Sequence, residues 1–193
     1  MESVFTVMPK KMIIMRAKAG KWVGADMSDI DLSNTDLSNA DLSNSNLSRA
    51  NLSGANLSKA NLSGANLTGT NLTGTNLSGV NLRNTNLQGL DLHGAKLIDA
   101  DLYGANLKSA NLSNADLCNA TLEVADLKDA NLSNANLSGA KLANITLNSA
   151  NLSGADLWEA LIWDANLTGA NLTNANLTSA TLNGATMPDG TKR

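Results

Sequence analysis

The chain has 193 residues, with 14 Lys and Arg, 17 Asp and Glu, one His and one Cys, and its formal net charge is −3. This length predicts one domain, and a lone cysteine excludes a disulfide framework within the chain. No apolar run reaches the length of a membrane span, and the N-terminus lacks the sustained apolar region of a signal peptide, so we expect a cytoplasmic protein.

Residues 1–23 differ in charge from the rest of the chain. They carry a net charge of +4, whereas residues 24–191 carry −9. Pro9 and Gly20 frame a short helix, because proline is favoured at helix starts and glycine just past helix ends. A helix this short is unstable alone, so we expect it to pack as a cap on the segment that follows. The contacts of this cap would come from Met12, Ile13 and Met15.

Two other interpretations of the N-terminal segment stay open. Residues 4–8 form a strand that adds to an exposed edge in one of them, and this strand could coexist with the cap. In the other, the basic residues lie on a membrane surface.

From Gly24 to Pro188 the chain repeats a five-residue unit without an insertion. The 33 unit centres run from Met27 to Met187, and 30 of them are leucine. A helix turns by a net angle of about 140° per five residues, so its leucines would scatter around every side. A long strand would send residues five apart to opposite faces. The period therefore excludes both elements.

Each unit predicts a very short strand followed by a bend. In residues 50–54, Ala-Asn-Leu-Ser-Gly, the small residue and the leucine share one face and the Asn points the other way. The last two places hold residues that favour turns. If every unit turns the chain the same way, the leucines converge inward and the Asn and Asp residues face water. Larger residues in the small inward place should bulge or overpack a coil; they are Ile30, Val80, Leu90 and Ile145.

This pattern resembles A(D/N)LXX, the signature of the pentapeptide-repeat family, over residues 24–188. The resemblance implies an all-β fold, a right-handed quadrilateral β-helix with four units per coil and about eight coils. With strands stacked about 4.8 Å apart, the rod would be about 40 Å long. A solenoid needs its ends covered, which supports the cap at residues 1–23.

The C-terminal tail, residues 189–193, is too short to form a capping helix after Pro188. The last coil would then be only lightly covered, and a homodimer through this coil is one interpretation. In several gyrase-inhibiting members of the family, the C-terminal end forms a dimer through an extension that residues 189–193 do not provide.

Candidate catalytic and metal-binding residues are few. His93 and Cys118 are five units apart, which places them on adjacent sides of the rod, out of reach for a base and a nucleophile. The first coil carries outward aspartates at Asp26, Asp31, Asp36 and Asp41. They leave from four different sides and cannot converge on one metal ion. We therefore expect solvated charge, no catalytic residue and no cofactor.

One side of the rod differs from the small polar surface elsewhere. Residues twenty apart stack above one another, and one column on this side runs from Arg83 through Ala143 to Trp163. Tyr, Trp and Arg concentrate in binding hot spots, so this side is the candidate protein-interaction face, although neutral drift of exposed residues is an alternative. The candidate residues are Arg83, Tyr103, Glu123, Val124, Lys141, Leu161, Trp163 and Trp158.

Two classes of function follow. The favoured one is a non-catalytic structural scaffold, a rigid rod that presents a face to an unidentified protein partner. The alternative comes from the resemblance, because some members of the family mimic duplex DNA and bind or protect DNA gyrase. The positive charges are few and scattered, which argues against direct nucleic-acid binding, and we also expect no membrane partner.

Overall fold

The computed structural model describes Met12, Met15, Arg16, Ala19, Gly20 and residues 22–193. It confirms the predicted right-handed quadrilateral β-helix of eight coils. Parallel bridges join residues twenty apart, from Asp26 with Asn46 to Asn166 with Thr186. Each strand is reduced to its bridging residue, and the rest of each unit is turn.

We name the parts of the rod by coil and by side. Coil 1 comprises residues 25–44, and each later coil takes the next twenty residues, so that coil 8 comprises residues 165–184. Sides A, B, C and D begin with Met27, Leu32, Leu37 and Leu42 and continue with every twentieth residue. Sides B and D therefore lie opposite each other.

Backbone hydrogen bonds hold each unit in place. The Leu52 N–H donates to the Asn71 carbonyl of the next coil at 2.9 Å, and the Ala55 N–H donates back to the Leu52 carbonyl at 2.9 Å to close the turn. The second turn place has positive φ, as at Asn134 (56°) and Gly139 (65°). Asn and Gly tolerate this conformation best, which explains why they recur there. The leucines thus fill the interior of the rod.

The outward Asn and Asp residues form hydrogen-bonded columns. The Asn131 Oδ1 accepts from the Ser133 N–H at 3.1 Å, and its Nδ2 donates to the Asn111 Oδ1 in the coil below at 3.3 Å. An aspartate can accept these bonds but cannot donate to the coil below. It therefore suits the base of a column, and coil 1 has one on each side: Asp26, Asp31, Asp36 and Asp41.

At the N-terminal end, Trp22 is buried against the core of the rod. Its ring lies 5.8 Å from the Arg16 guanidinium carbon. Met12 and Met15 are exposed, so Trp22 covers the core where we expected these two methionines to do so. Ile13 and residues 4–8 lie outside the described residues, and the cap as a whole remains a prediction.

At the C-terminal end, the tail folds back over side A. Lys192 forms an antiparallel bridge with Thr186, and the Met187 N–H donates to the Thr191 carbonyl at 2.7 Å. The sequence analysis did not anticipate this strand. Three leucines of coil 8 are partly exposed; they are Leu172, Leu177 and Leu182.

Candidate protein-interaction face

The structure brings the predicted interaction residues together on side D and the adjoining corner of side C. Bridges join Asp101 to Thr121, Thr121 to Lys141 and Lys141 to Leu161. The first turn residues of the same side follow beside them, and they are Arg83, Tyr103, Glu123, Ala143 and Trp163. Trp158 and Val124 occupy turn places on sides C and D.

The half of this face nearer the N-terminus is internally paired. The Arg83 Nη1 donates to the Asp101 Oδ2 at 3.0 Å. The same guanidinium lies over the Tyr103 ring, with its central carbon 4.4 Å from the ring centroid. These contacts span the junction between coils 3 and 4, so Arg83 and Tyr103 have a role within the rod.

The other half of the face presents apolar side chains to solvent. Val124, Trp158 and Trp163 are 51%, 45% and 46% exposed. The Trp163 Nε1 donates to the Thr181 Oγ1 at 2.7 Å, which fixes the orientation of the indole. Below Trp163 in its column stands the small residue Ala143, which is buried, and below Ala143 stands Glu123, the chain neighbour of Val124.

Val124 is strained as well as exposed. Its φ is 63°, and it is the only β-branched residue with positive φ in the described part of the chain. A left-handed conformation costs a residue with a Cβ atom about 1–2 kcal/mol, and a branched side chain fits it poorly. The sequence analysis selected Val124 because it lies at a turn of the same side, but the strain became visible only in the backbone.

His93 and Cys118 do not meet. The His93 Nδ1 lies 2.9 Å from the Ser113 Oγ of the coil above, and the Ser113 hydroxyl also lies 2.7 Å from the Asn111 Oδ1. The Cys118 Sγ lies 3.5 Å from the Ser138 Oγ. Sequence reasoning missed both serine contacts, which follow from the stacking of first turn residues twenty apart.

The acidic groups of coil 1 are held by neighbours on their own sides. The Asp26 Oδ1 accepts from the Ser28 N–H and the Asn46 Nδ2, and the Ser28 backbone bond is the main cause that lowers the pKa of Asp26. Arg49 donates to both carboxylate oxygens of Asp29 and lowers the pKa of Asp29.

Among the described residues, no cluster of His, Cys, Asp and Glu could hold a metal ion. No helix in that part of the chain is long and apolar enough to cross a bilayer.

This architecture defines a β-solenoid built from five-residue units. The family model for pentapeptide repeats matches with eight copies over residues 25–64, 50–89, 85–123, 125–157 and 150–188. The chain belongs to the pentapeptide-repeat family. No curated protein shows significant similarity to it.

Three solved structures illustrate the likeness. HetL, a pentapeptide repeat protein involved in heterocyst differentiation regulation from the cyanobacterium Nostoc sp. strain PCC 7120, is 34% identical, with 96% of this chain and 100% of HetL covered and a TM-score of 0.34. Rfr23 from the cyanobacterium Cyanothece 51142 is 25% identical, with 89% and 94% covered and a TM-score of 0.31. A trypsin-treated variant of QnrB1, a plasmid-mediated fluoroquinolone resistance protein, is 24% identical, with 82% and 87% covered and a TM-score of 0.47.

Proposed function

We propose that this protein is a non-catalytic scaffold that binds a protein partner through side D. The observation that carries the proposal is the exposed apolar group of Val124, Trp158 and Trp163 on a surface otherwise made of small polar residues. Exposed aromatic residues with fixed orientation lose little conformational entropy on binding, which favours them as anchors. Lys141, exposed beside them, would pair with a carboxylate of the partner.

The experiment compares capture of the partner by the native rod and by two variants. The first replaces Trp158 and Trp163 with serine and Val124 with asparagine, residue types that the same turn places hold elsewhere in the rod. The control replaces Lys108 and Lys128 on side A with serine. The proposal expects one protein that binds the native rod and the control but not the first variant. Equal capture by all three would refute it.

Two further parts of the proposal concern assembly and location. The partly exposed leucines of coil 8 support a homodimer through the C-terminal coil, because apolar side chains at the end of a solenoid are costly in water. Sedimentation tests the dimer: we expect the native chain to sediment as a dimer and Leu177→Asn as a monomer.

The absence of a disulfide framework supports a cytoplasmic location, which fluorescence of a tagged full-length chain tests.

The alternative of a DNA mimic that acts on gyrase has weaker support. Duplex DNA carries one charge per about 1.7 Å, or about 24 charges over a rod of this length. Residues 24–191 carry a net charge of −9. In the outward columns, residues twenty apart lie directly above one another, and no two such neighbours are both Asp. The carboxylates are therefore too sparse to reproduce a phosphate backbone.

A further inference from the structure

The backbone ladder opens at one junction, between coils 3 and 4. In the coils on either side, the leucine N–H groups of sides A and B donate to the next coil, as from Leu52 to the Asn71 carbonyl (2.9 Å) and from Leu92 to the Asn111 carbonyl (2.7 Å). The described residues give the Leu72 N–H no such acceptor, and the bridge between Asn71 and Asp91 is missing.

The opening is complete on side B only. Within residues 22–193, the side B amides at this junction that lack a backbone acceptor are those of Leu72, Gly74 and Asp91. Side A keeps the bridge between Asn66 and Asn86, and side C keeps the bridge between Asn76 and Lys96. Backbone amides of this kind are almost always paired in folded proteins, so the unpaired amides of side B mark a weak point of the junction.

Leu90 explains the opening. It occupies the inward place on side B, where the same column holds Ala50 two coils below and Ala110 in the coil above. Its carbonyl still accepts from the Asn111 N–H at 2.9 Å, so its extra volume falls on the side of Thr70. The Thr70 hydroxyl donates a hydrogen bond to the Leu47 carbonyl of the coil below at 2.8 Å. The two coils are therefore held apart at this point.

Of the four large inward residues, Ile30, Val80, Leu90 and Ile145, only Leu90 lies where the ladder is open. The Asn51 N–H reaches the Ile30 carbonyl at 2.8 Å, and the Asn166 N–H reaches the Ile145 carbonyl at 2.9 Å. The threonines at 70, 75 and 85 surround Leu90 with further volume in neighbouring inward places. Isolated isoleucines are accommodated, whereas this run of large residues is not.

Side D of the same junction is closed and reinforced. The Leu82 N–H donates to the Asp101 carbonyl at 2.7 Å, and the Asn84 N–H donates to the Tyr103 carbonyl at 2.9 Å. The ion pair of Arg83 with Asp101 and the stacking of Arg83 on Tyr103 lie directly over these bonds. Side D is opposite side B, so the side with the additional Arg83 contacts faces the side that lacks its ladder bonds.

We propose that the junction between coils 3 and 4 is a hinge that opens on side B and pivots on side D. Coils 1–3 and coils 4–8 then move as two stiff bodies, joined by the backbone bonds of sides C and D and by Arg83. Opening on side B bends the rod so that side D becomes its concave side. The hinge is a property of the free rod, since the missing ladder bonds lie within the chain itself, and it does not depend on the proposed partner.

Amide hydrogen exchange measured by NMR tests the opening. We expect the amide of Leu72 to exchange at least about tenfold faster than that of Leu112, which stands on the same side in an intact part of the ladder. Leu90→Ala should remove most of this difference. Thr70→Ala relieves the same contact from below and serves as the second variant. Equal protection of the two amides in the native rod would overturn the proposal.

Distances between spin labels distinguish a moving hinge from a static gap. One pair is attached at positions 73 and 133 on side B, and the matched pair at positions 63 and 123 on side D, both three coils apart and in a Cys118→Ser background. We expect a broader distance distribution on side B, which narrows with Leu90→Ala. Distributions of equal width on the two sides would overturn the hinge.

Discussion

The Nδ2 of Asn111 donates to the Oδ1 of Asp91, which lies directly below it on side B, at 2.9 Å. The same relationship holds between Asn46 and Asp26 at the start of side A. An amide that stands above a carboxylate both satisfies it and separates it from the next charge. The order of Asn and Asp along a column is therefore part of the fold.

Asn111→Asp should destabilise the rod by on the order of 1 kcal/mol, because it replaces a hydrogen bond with two stacked carboxylates about 4.8 Å apart. Asn151→Asp is the matched control on the same side, since Asn131 and Asn171 are its neighbours in the column. Thermal melts at low salt should show the larger loss for Asn111→Asp. High salt should reduce the difference, and equal losses would contradict the role of column order.

Leu107→Asp should destabilise the rod by several kcal/mol, because Leu107 is fully buried and an aspartate there would have no partner. Ser109→Asn is the control, since the second turn place has positive φ and already holds Asn at many positions. The melting temperature of Ser109→Asn should stay near that of the native chain. If Leu107→Asp melted at the same temperature as Ser109→Asn, the inward assignment of the leucines would be wrong.

Val124→Asn should stabilise the isolated rod by about 1 kcal/mol, because asparagine tolerates the left-handed conformation better than valine does. The reverse change, Asn144→Val, occupies the same place one coil further on, where φ is 55°, and should destabilise the rod by a similar amount. Denaturant unfolding measures both. If Val124→Asn also weakens partner capture, the strain at this position serves binding; a destabilised Val124→Asn would show that valine is favoured by packing instead.

Acid should loosen coil 1 through Asp26 and Asp29. The folded chain lowers the pKa of both groups, through the Ser28 backbone bond at Asp26 and through Arg49 at Asp29. Their stabilisation is therefore present above the unfolded value, about pH 4, and is lost as pH falls through the lower folded values. The protection factors of the coil 1 amides, which correct for the intrinsic pH dependence of exchange, should fall over this window. Asp29→Asn should flatten the fall, whereas an unchanged acid response would exclude this carboxylate as a contributor.

Gyrase supercoiling should be unaffected by micromolar concentrations of the purified protein, with or without a quinolone. The physical reason is the low density of carboxylates, which cannot steer the rod into a DNA-binding channel. A DNA mimic would inhibit the reaction or protect it from the drug. Either result would refute the scaffold proposal and support the alternative, a DNA mimic that acts on gyrase.

The period of five predicted the inward leucines and the outward Asn and Asp residues, and the resemblance to the pentapeptide-repeat family implied the four-sided coil and therefore the stacked columns of side D. The pattern also marked Leu90 as a large inward residue, together with three others at which the ladder is intact. The hydrogen bonds of the Asn columns, however, depend on side-chain rotamers that a one-dimensional pattern does not specify. Asn106→Asp, for example, would place a carboxylate directly below Asp126, and the five-residue pattern alone does not show this cost.

The features that the sequence could not supply involve backbone conformation and cooperation between distant residues. Trp22 replaced the expected methionines at the first coil, because a repeat pattern carries no information about residues that precede it. The antiparallel strand at Lys192 arose where the pattern had ended. The opening below Leu90 required the combined volume of several inward residues, which no single unit reveals.

The twenty-residue spacing of the bridges limits how such a protein can change length during evolution. Loss or duplication of a whole coil returns every later residue to its original side, so the surface on side D keeps its composition. A slip by one unit between Arg83 and Trp163 rotates everything beyond it by a quarter turn and places these two residues on different sides. Insertion or deletion of a single unit therefore leaves the leucines inside the rod but rearranges the residues on its surface. Such a change can alter binding to a partner without preventing folding.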